Sequence, residues 1–81
     1  MKVYRPGTLA FLDSTQGLIP CVVKTIDDKG ITVHFTDEEH RHWSGMTKNV
    51  WVGRTQTFRA TQIVPRQCVN GERIGAYRWE P

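Results

Sequence analysis

One stretch decides the fold: residues 19–36, which read IPCVVKTIDDKGITVHFT. β-Branched residues are frequent in both halves, and such residues favour extended backbone. Gly30 can adopt the left-handed conformation that closes a type I turn with a bulge. The stretch therefore predicts a tight hairpin, with one strand over Ile19–Asp27 and the next over Ile31–Thr36.

The second strand of this hairpin alternates strictly between apolar and polar residues. Successive side chains of a strand point to opposite faces of the sheet, so the alternation predicts one buried face and one solvated face. We expect His34 on the solvated face. The buried set is Ile31, Val33 and Phe35, and the solvated set is Thr32, His34 and Thr36.

Further short segments with turn residues between them also read as strands. No window shows helical periodicity, so we predict an all-β domain of five or six short antiparallel strands that can include one 3₁₀ turn. The other candidate strands are Thr8–Asp13, Asn49–Gly53, Ala60–Pro65 (entered through the 3₁₀ turn) and Arg73–Trp79, while Gln56–Arg59 either extends the fourth strand or begins the next.

The 81 residues allow a single domain. We expect a barrel over about 6–65 and a C-terminal strand or ordered tail over 66–81, with Tyr77 and Trp79 on one face of it. In the fourth strand, Val50 and Val52 would point inward and Trp51 outward. The predicted interior is Leu9, Phe11, Ile19, Cys21, Val23, Ile31, Val33, Phe35, Val50, Val52 and Ile63.

The layout resembles the SH3-like barrel superfold in the broad sense that includes Tudor, KOW and chromo-type domains. The resemblance covers residues 6–65 and depends on Pro-Gly-Thr-Leu-Ala at 6–10, on the hairpin Cys21–Phe35 and on Ala-Thr-Gln-Ile-Val-Pro at 60–65. It implies a small closed barrel. The superfold supports many unrelated functions, so it does not select one.

One enzyme family of this superfold gives a partial likeness. Type II dihydrofolate reductases carry Val-Gln-Ile-Tyr near the end of the barrel, and this chain has Thr61-Gln62-Ile63-Val64 in a comparable place. Gln62 and Ile63 match, whereas Val64 lacks the tyrosine hydroxyl. A reductase is therefore the third hypothesis, after a binding module for nucleic acid and a protein–protein adaptor or inhibitor. We expect a protein that is not an enzyme and needs no cofactor.

The net charge of +3 is unevenly distributed. Residues 1–40 carry four Lys/Arg against six Asp/Glu, whereas residues 41–81 carry seven against two, and six of those seven are Arg. Arginine forms forked contacts to phosphate and carboxylate. The basic half therefore predicts an anionic partner, which would be a nucleic acid, an acidic protein or a cofactor phosphate, although a solvated surface explains the charge equally well.

Aromatic residues interleaved with cations are typical of surfaces that bind single-stranded nucleic acid, because bases stack on rings and phosphates pair with cations. The predicted contacts are Trp43, Lys48, Trp51, Arg54 and Arg59, with Arg78 in the tail. Alternatively, the tryptophans cover a barrel end or a subunit interface in a homo-oligomer, or form a cage for a cation. The tail aromatics either bind a partner or fold back onto the barrel.

Residues 37–48 form a polar segment with two histidines, His40 and His42. Imidazoles two residues apart on extended backbone can share a metal ion, so both are weak metal candidates. A solvated loop is the simpler interpretation. Cys21 and Cys68 favour reduced thiols, since no secretion signal is recognised, and we expect a cytoplasmic protein without a membrane partner.

Overall fold

The structure is a computed structural model that describes residues 2–15, 17–36, 51–68 and 77–81. Its fold is all-β, as predicted. The strands are β1 Lys2–Tyr4, β2 Leu9–Ser14, β3 Gly17–Asp27, β4 Gly30–Phe35, β5 Thr55–Phe58, β6 Ile63–Pro65 and β7 Tyr77–Trp79. Two 3₁₀ turns flank β6 in this part of the chain, Ala60–Gln62 before it and Arg66–Cys68 after it.

Five strands form one antiparallel sheet in the order β5-β4-β3-β2-β6. The hairpin between β3 and β4 is confirmed, with Asp27 paired to Gly30 and Cys21 paired to Phe35. The Asp27 side chain closes its turn, because Oδ1 accepts a hydrogen bond of 2.9 Å from the Lys29 N–H. The segment before β6 also matches the prediction, since a 3₁₀ turn leads into a short strand.

A second, two-stranded sheet joins the two ends of the chain. β1 and β7 pair in parallel, with Lys2 opposite Tyr77 and Tyr4 opposite Trp79. Tyr77 and Trp79 share one face, as predicted, and Tyr4 lies within 5.7 Å of both rings. Trp79 packs against the main core, so the tail folds back onto the domain. Residues 73–76 of the predicted strand lie outside the described residues.

The core lies on the inner face of the five-stranded sheet. Eight of the predicted interior residues are buried, and Ala10 and Leu12 join them. Ala10 and Leu12 face inward because they pair with Cys21 and Ile19 of β3. The eight predicted residues are Phe11, Ile19, Cys21, Val23, Ile31, Val33, Phe35 and Ile63.

The prediction for Leu9 is wrong: its side chain is 48% exposed. Alternation along β2 places Leu9 and Phe11 on the face opposite Ala10 and Leu12. Phe11 is nevertheless buried there, because the Arg66 guanidinium covers its ring at 5.4 Å from the centroid. Val52 is only half-buried, and Val50 lies outside the described residues.

Gly30 offers a sharp test of the hairpin. Its φ is +135°, and a Cβ at this position would lie 2.3 Å from the Phe58 carbonyl oxygen on β5. We expect Gly30→Ala to lower the free energy of unfolding by about 2–5 kcal/mol through backbone strain and the clash. Gly17→Ala is the control, because φ is +107° there and nothing lies within 4 Å, so it should cost only about 1–2 kcal/mol. Urea unfolding measures both, and equal losses would contradict the close β4–β5 approach.

Cys21 is a free thiol with no exposed surface, consistent with the expected reduced cysteine. Burial raises its pKa from 9.0 to about 12, although the nearby Arg66 opposes the shift. The folded state therefore holds the proton more tightly than the unfolded state. Its contribution to stability is fully present below pH 9.0 and is lost as the pH rises towards about 12.

Burial and the raised pKa together predict a Cys21 thiol that reacts slowly in the native protein. In a Cys68→Ser variant, which leaves Cys21 as the single thiol, native protein at pH 8 should react with a thiol-disulfide reagent on the order of 1000-fold more slowly than protein unfolded in guanidinium chloride. The lower thiolate fraction alone gives this ratio. Native reaction within about tenfold of the unfolded rate would show that Cys21 is accessible.

Candidate functional site

Two exposed arginines of the described residues lie along one edge of the five-stranded sheet. Among the described strands, β5 lies at one end of that sheet, and Arg54 and Arg59 immediately precede and follow it in sequence. Both arginines are exposed, and neither has an acidic partner in the described ranges. Their Cα atoms are separated by about 17 Å if the backbone is fully extended. We call β5 with these two arginines the cationic edge.

Polar side chains fill the outer face beside the cationic edge. The Thr32 and Thr57 hydroxyls form a hydrogen bond of 2.7 Å, and His34 Nδ1 lies 2.9 Å from Thr55 Oγ1. These contacts follow the register, because Thr32 pairs with Thr57 and His34 with Thr55. His34 therefore lies on the outer face, as predicted. We call these four residues the polar ladder.

Phe35 positions the start of the cationic edge through its backbone. Its N–H donates a hydrogen bond of 2.9 Å to the Arg54 carbonyl, and its carbonyl accepts one of 2.9 Å from the Gly53 N–H. The Phe35 side chain is fully buried, so core packing fixes the position of the backbone that makes these two hydrogen bonds. The other end is closed by Gln62, whose Oε1 accepts a hydrogen bond of 3.2 Å from the Arg59 N–H.

The prediction that Trp51 is an outward residue of a strand is wrong. Trp51 has helical backbone, Val52 and Gly53 form a turn, and the Arg54 N–H closes it on the Trp51 carbonyl at 3.0 Å. The indole packs on Phe35 at 4.9 Å and on Phe58 at 6.3 Å between ring centroids. Trp51 is half-buried beside the core and is a packing residue rather than a free stacking surface.

The remaining predicted contacts do not join the cationic edge in the described structure. Arg78 lies in the β1–β7 sheet, where its guanidinium forms an ion pair with Glu80. Arg5 also contacts Glu80, at 3.5 Å, so this carboxylate serves two arginines. Trp43 and Lys48 of the predicted surface, and the metal candidates His40 and His42, lie outside the described residues.

The sequence does not predict the bulge at Lys24. This exposed lysine lies at the register shift between Val23 and Thr25, and Thr25 pairs with Thr32 of the polar ladder. The alternation of apolar and polar residues does not predict a bulge, because a bulge adds a residue to one strand only. The threonines of β5 could have been found from sequence, because β-branched polar residues are common on solvated sheet faces.

Hydroxyls and guanidinium groups on an open edge can donate several hydrogen bonds to one extended anion. Such groups contact phosphate oxygens in complexes with nucleic acids. Within the described ranges, no three side chains of His, Cys, Asp or Glu come together to hold a metal ion.

Comparison with protein-family models, with curated proteins and with solved structures gives no match to this chain. The described part of the chain also has no helix with the length and apolar character needed to cross a bilayer.

The packing of Trp51 gives a direct prediction. Trp51→Ala should lower the free energy of unfolding by about 3 kcal/mol, because it removes ring contacts to Phe35 and Phe58. Trp51→Phe keeps an aromatic ring at this position and should cost less than half as much. Urea unfolding compares the two variants with the wild type. A cost below about 0.5 kcal/mol for Trp51→Ala would be typical of a surface residue and would contradict the packing role.

Proposed function

We propose that this chain is a non-enzymatic binding module of the SH3-like type that binds the phosphate backbone of single-stranded nucleic acid along the cationic edge. The observation that carries the proposal is the pair Arg54 and Arg59, which lie at the two ends of a terminal strand of the sheet, are exposed and have no acidic partner among the described residues. The strand order β5-β4-β3-β2-β6 and the 3₁₀ turn before β6 support the barrel type.

The electrostatics of the described residues support an anionic ligand. These residues include eight Lys/Arg against four Asp/Glu. Glu80 is already occupied by Arg5 and Arg78, which leaves the cations around β5 without that carboxylate. Cations that neutralise phosphates release counterions, and this release favours binding at low salt.

The polar ladder adds hydrogen-bonding capacity beside these charges. Its hydroxyls and imidazole already pair with one another, so a hydroxyl proton or ring N–H that these pairs leave unused can be donated to a phosphate oxygen without rearrangement of the strands. Phosphate contacts position a nucleic acid without reading its bases. Because Trp51 packs beside the core, we expect weak sequence preference and little base stacking on that ring.

Binding is tested by fluorescence anisotropy with a labelled single-stranded DNA of about 12 nucleotides, a length within the range bound by small nucleic-acid domains. Three neutralised phosphates would give a salt slope of about −2. Affinity should therefore fall more than about tenfold between about 50 and about 200 mM salt. A labelled RNA of the same sequence forms a second arm that compares the two nucleic acids.

A charge-matched pair of variants locates the site. The double variant Arg54→Ala/Arg59→Ala should weaken binding at low salt and reduce the salt slope by about 1.4. The double variant Arg5→Ala/Arg78→Ala removes the same charge from the Glu80-paired set and should leave the slope close to wild type. This control also tests the sequence-based prediction that Arg78 contributes.

Two results would contradict the proposal. No saturable anisotropy change at micromolar protein in low salt would exclude nucleic-acid binding and leave an acidic protein as the partner class for the cationic edge. Equal losses in the two double variants would show that net charge, rather than the edge of β5, governs binding.

A further inference from the structure

A pocket of about 240 Å³ opens on the outer face of β2, in a different region from the cationic edge. It lies where β1, the start of β2 and the 3₁₀ turn after β6 meet. Its lining residues are Tyr4, Thr8, Leu9, Arg66 and Gln67. None of these five residues is among the site residues predicted from sequence, and Leu9 is among the predicted core residues.

Arg66 is a fixed cation beside this pocket. Its Nε donates a hydrogen bond of 3.1 Å to the Ala10 carbonyl, and Nη2 donates one of 3.4 Å to the Cys21 carbonyl. The guanidinium also lies over the Phe11 ring. No carboxylate pairs with Arg66 among the described residues. A held guanidinium with N–H groups to spare binds an anion without first losing side-chain entropy.

Gln67 supplies a second oriented donor. Its Oε1 lies 3.3 Å from Lys2 Nζ and 3.4 Å from Tyr4 Oη, both of which can donate to it. These two contacts fix the amide so that Nε2, which donates only, points away from them. The Lys2 ammonium adds positive charge at the same place. The polar side of the pocket is therefore rich in donors.

The other side of the pocket is apolar. Leu9 is one of the two large hydrophobic residues that are exposed in the described structure, and it lines the pocket together with the Tyr4 ring. A ligand with only a charged group would leave this surface in water. A ligand with an apolar body would cover it, and burial of apolar area is favourable.

We propose that this pocket binds a small organic monocarboxylate. The carboxylate accepts hydrogen bonds from the free N–H groups of Arg66 and from Gln67 Nε2, and the apolar body lies against Leu9 and Tyr4. With about 30 Å³ for each water-sized group, the volume suits about eight non-hydrogen atoms. The inference is independent of nucleic-acid binding, because it uses different residues and a different class of ligand.

The test is a ¹H–¹⁵N NMR titration of the wild-type protein with 4-methylpentanoate, which has the expected size. We expect saturable shifts at the amides of Leu9 and Gln67 and at Arg66 Nε–H. The uncharged isostere 4-methylpentanamide should bind at least about tenfold more weakly, because it lacks the charge-assisted hydrogen bonds. Inorganic phosphate, which lacks an apolar body, should also bind at least about tenfold more weakly.

Variants separate the two halves of the pocket. Leu9→Ser should weaken 4-methylpentanoate about three- to tenfold through lost apolar contact. Val3→Ser is its matched control, because Val3 is 40% exposed but does not line the pocket, and its affinity should stay within about twofold of wild type. Arg66→Gln should abolish the preference for the carboxylate over the amide. If Arg66→Gln fails to fold, the comparison of ligands on wild-type protein still decides the matter.

Three results would overturn the inference. These are equal affinity for the carboxylate and the amide, tighter binding of phosphate than of 4-methylpentanoate, or the absence of saturable shifts around the pocket at about 10 mM carboxylate, a concentration well above a millimolar dissociation constant. Because this titration contains no nucleic acid, its failure leaves the proposal for the cationic edge unaffected.

Discussion

Phe35 joins the core of this domain to its cationic edge. Its ring is fully buried and contacts both Trp51 and Phe58. Its backbone N–H and carbonyl bind Arg54 and Gly53, so one residue anchors both the packing and the approach to β5. Loss of this anchor would release the chain before β5 and, with it, the position of Arg54. The geometry of the edge therefore depends on a core contact rather than on surface charge.

The two proposed binding surfaces use arginine in different ways. Arg54 and Arg59 are exposed on an edge strand, where water and salt screen them, which suits a multivalent, salt-sensitive contact with a long anion. Arg66 is half-buried and held by two backbone carbonyls, which suits a single, directed contact with a small anion. Arg5 and Arg78 are assigned to neither proposed surface, because Glu80 pairs with both.

The sequence predicted those parts of the fold whose signals are local. Gly30 closes the turn of the β3–β4 hairpin, and alternation along β4 placed Ile31 and His34 on the correct faces. The prediction that Leu9 is buried was wrong because it was inferred from the burial of Phe11 on the same face of β2. Phe11 is covered by Arg66, a residue remote in sequence, whereas Leu9 stays exposed. Likewise, the sequence of residues 2–4 does not predict their pairing with residues 77–79, because a parallel contact between distant segments has no turn or local sequence pattern that marks it.

The candidate site was predictable in composition but not in arrangement. The charge of Arg54 and Arg59 is evident from the sequence, and the structure adds that β5 separates them along one edge of the sheet. Trp51 was misplaced because a helical residue and a turn replace the predicted strand. The most direct test of the Phe35 anchor is amide hydrogen exchange at Phe35 and Gly53. The account predicts protection within about tenfold of Val23, a buried residue whose N–H binds the Thr8 carbonyl; exchange of Gly53 at the rate of an unstructured peptide would contradict it.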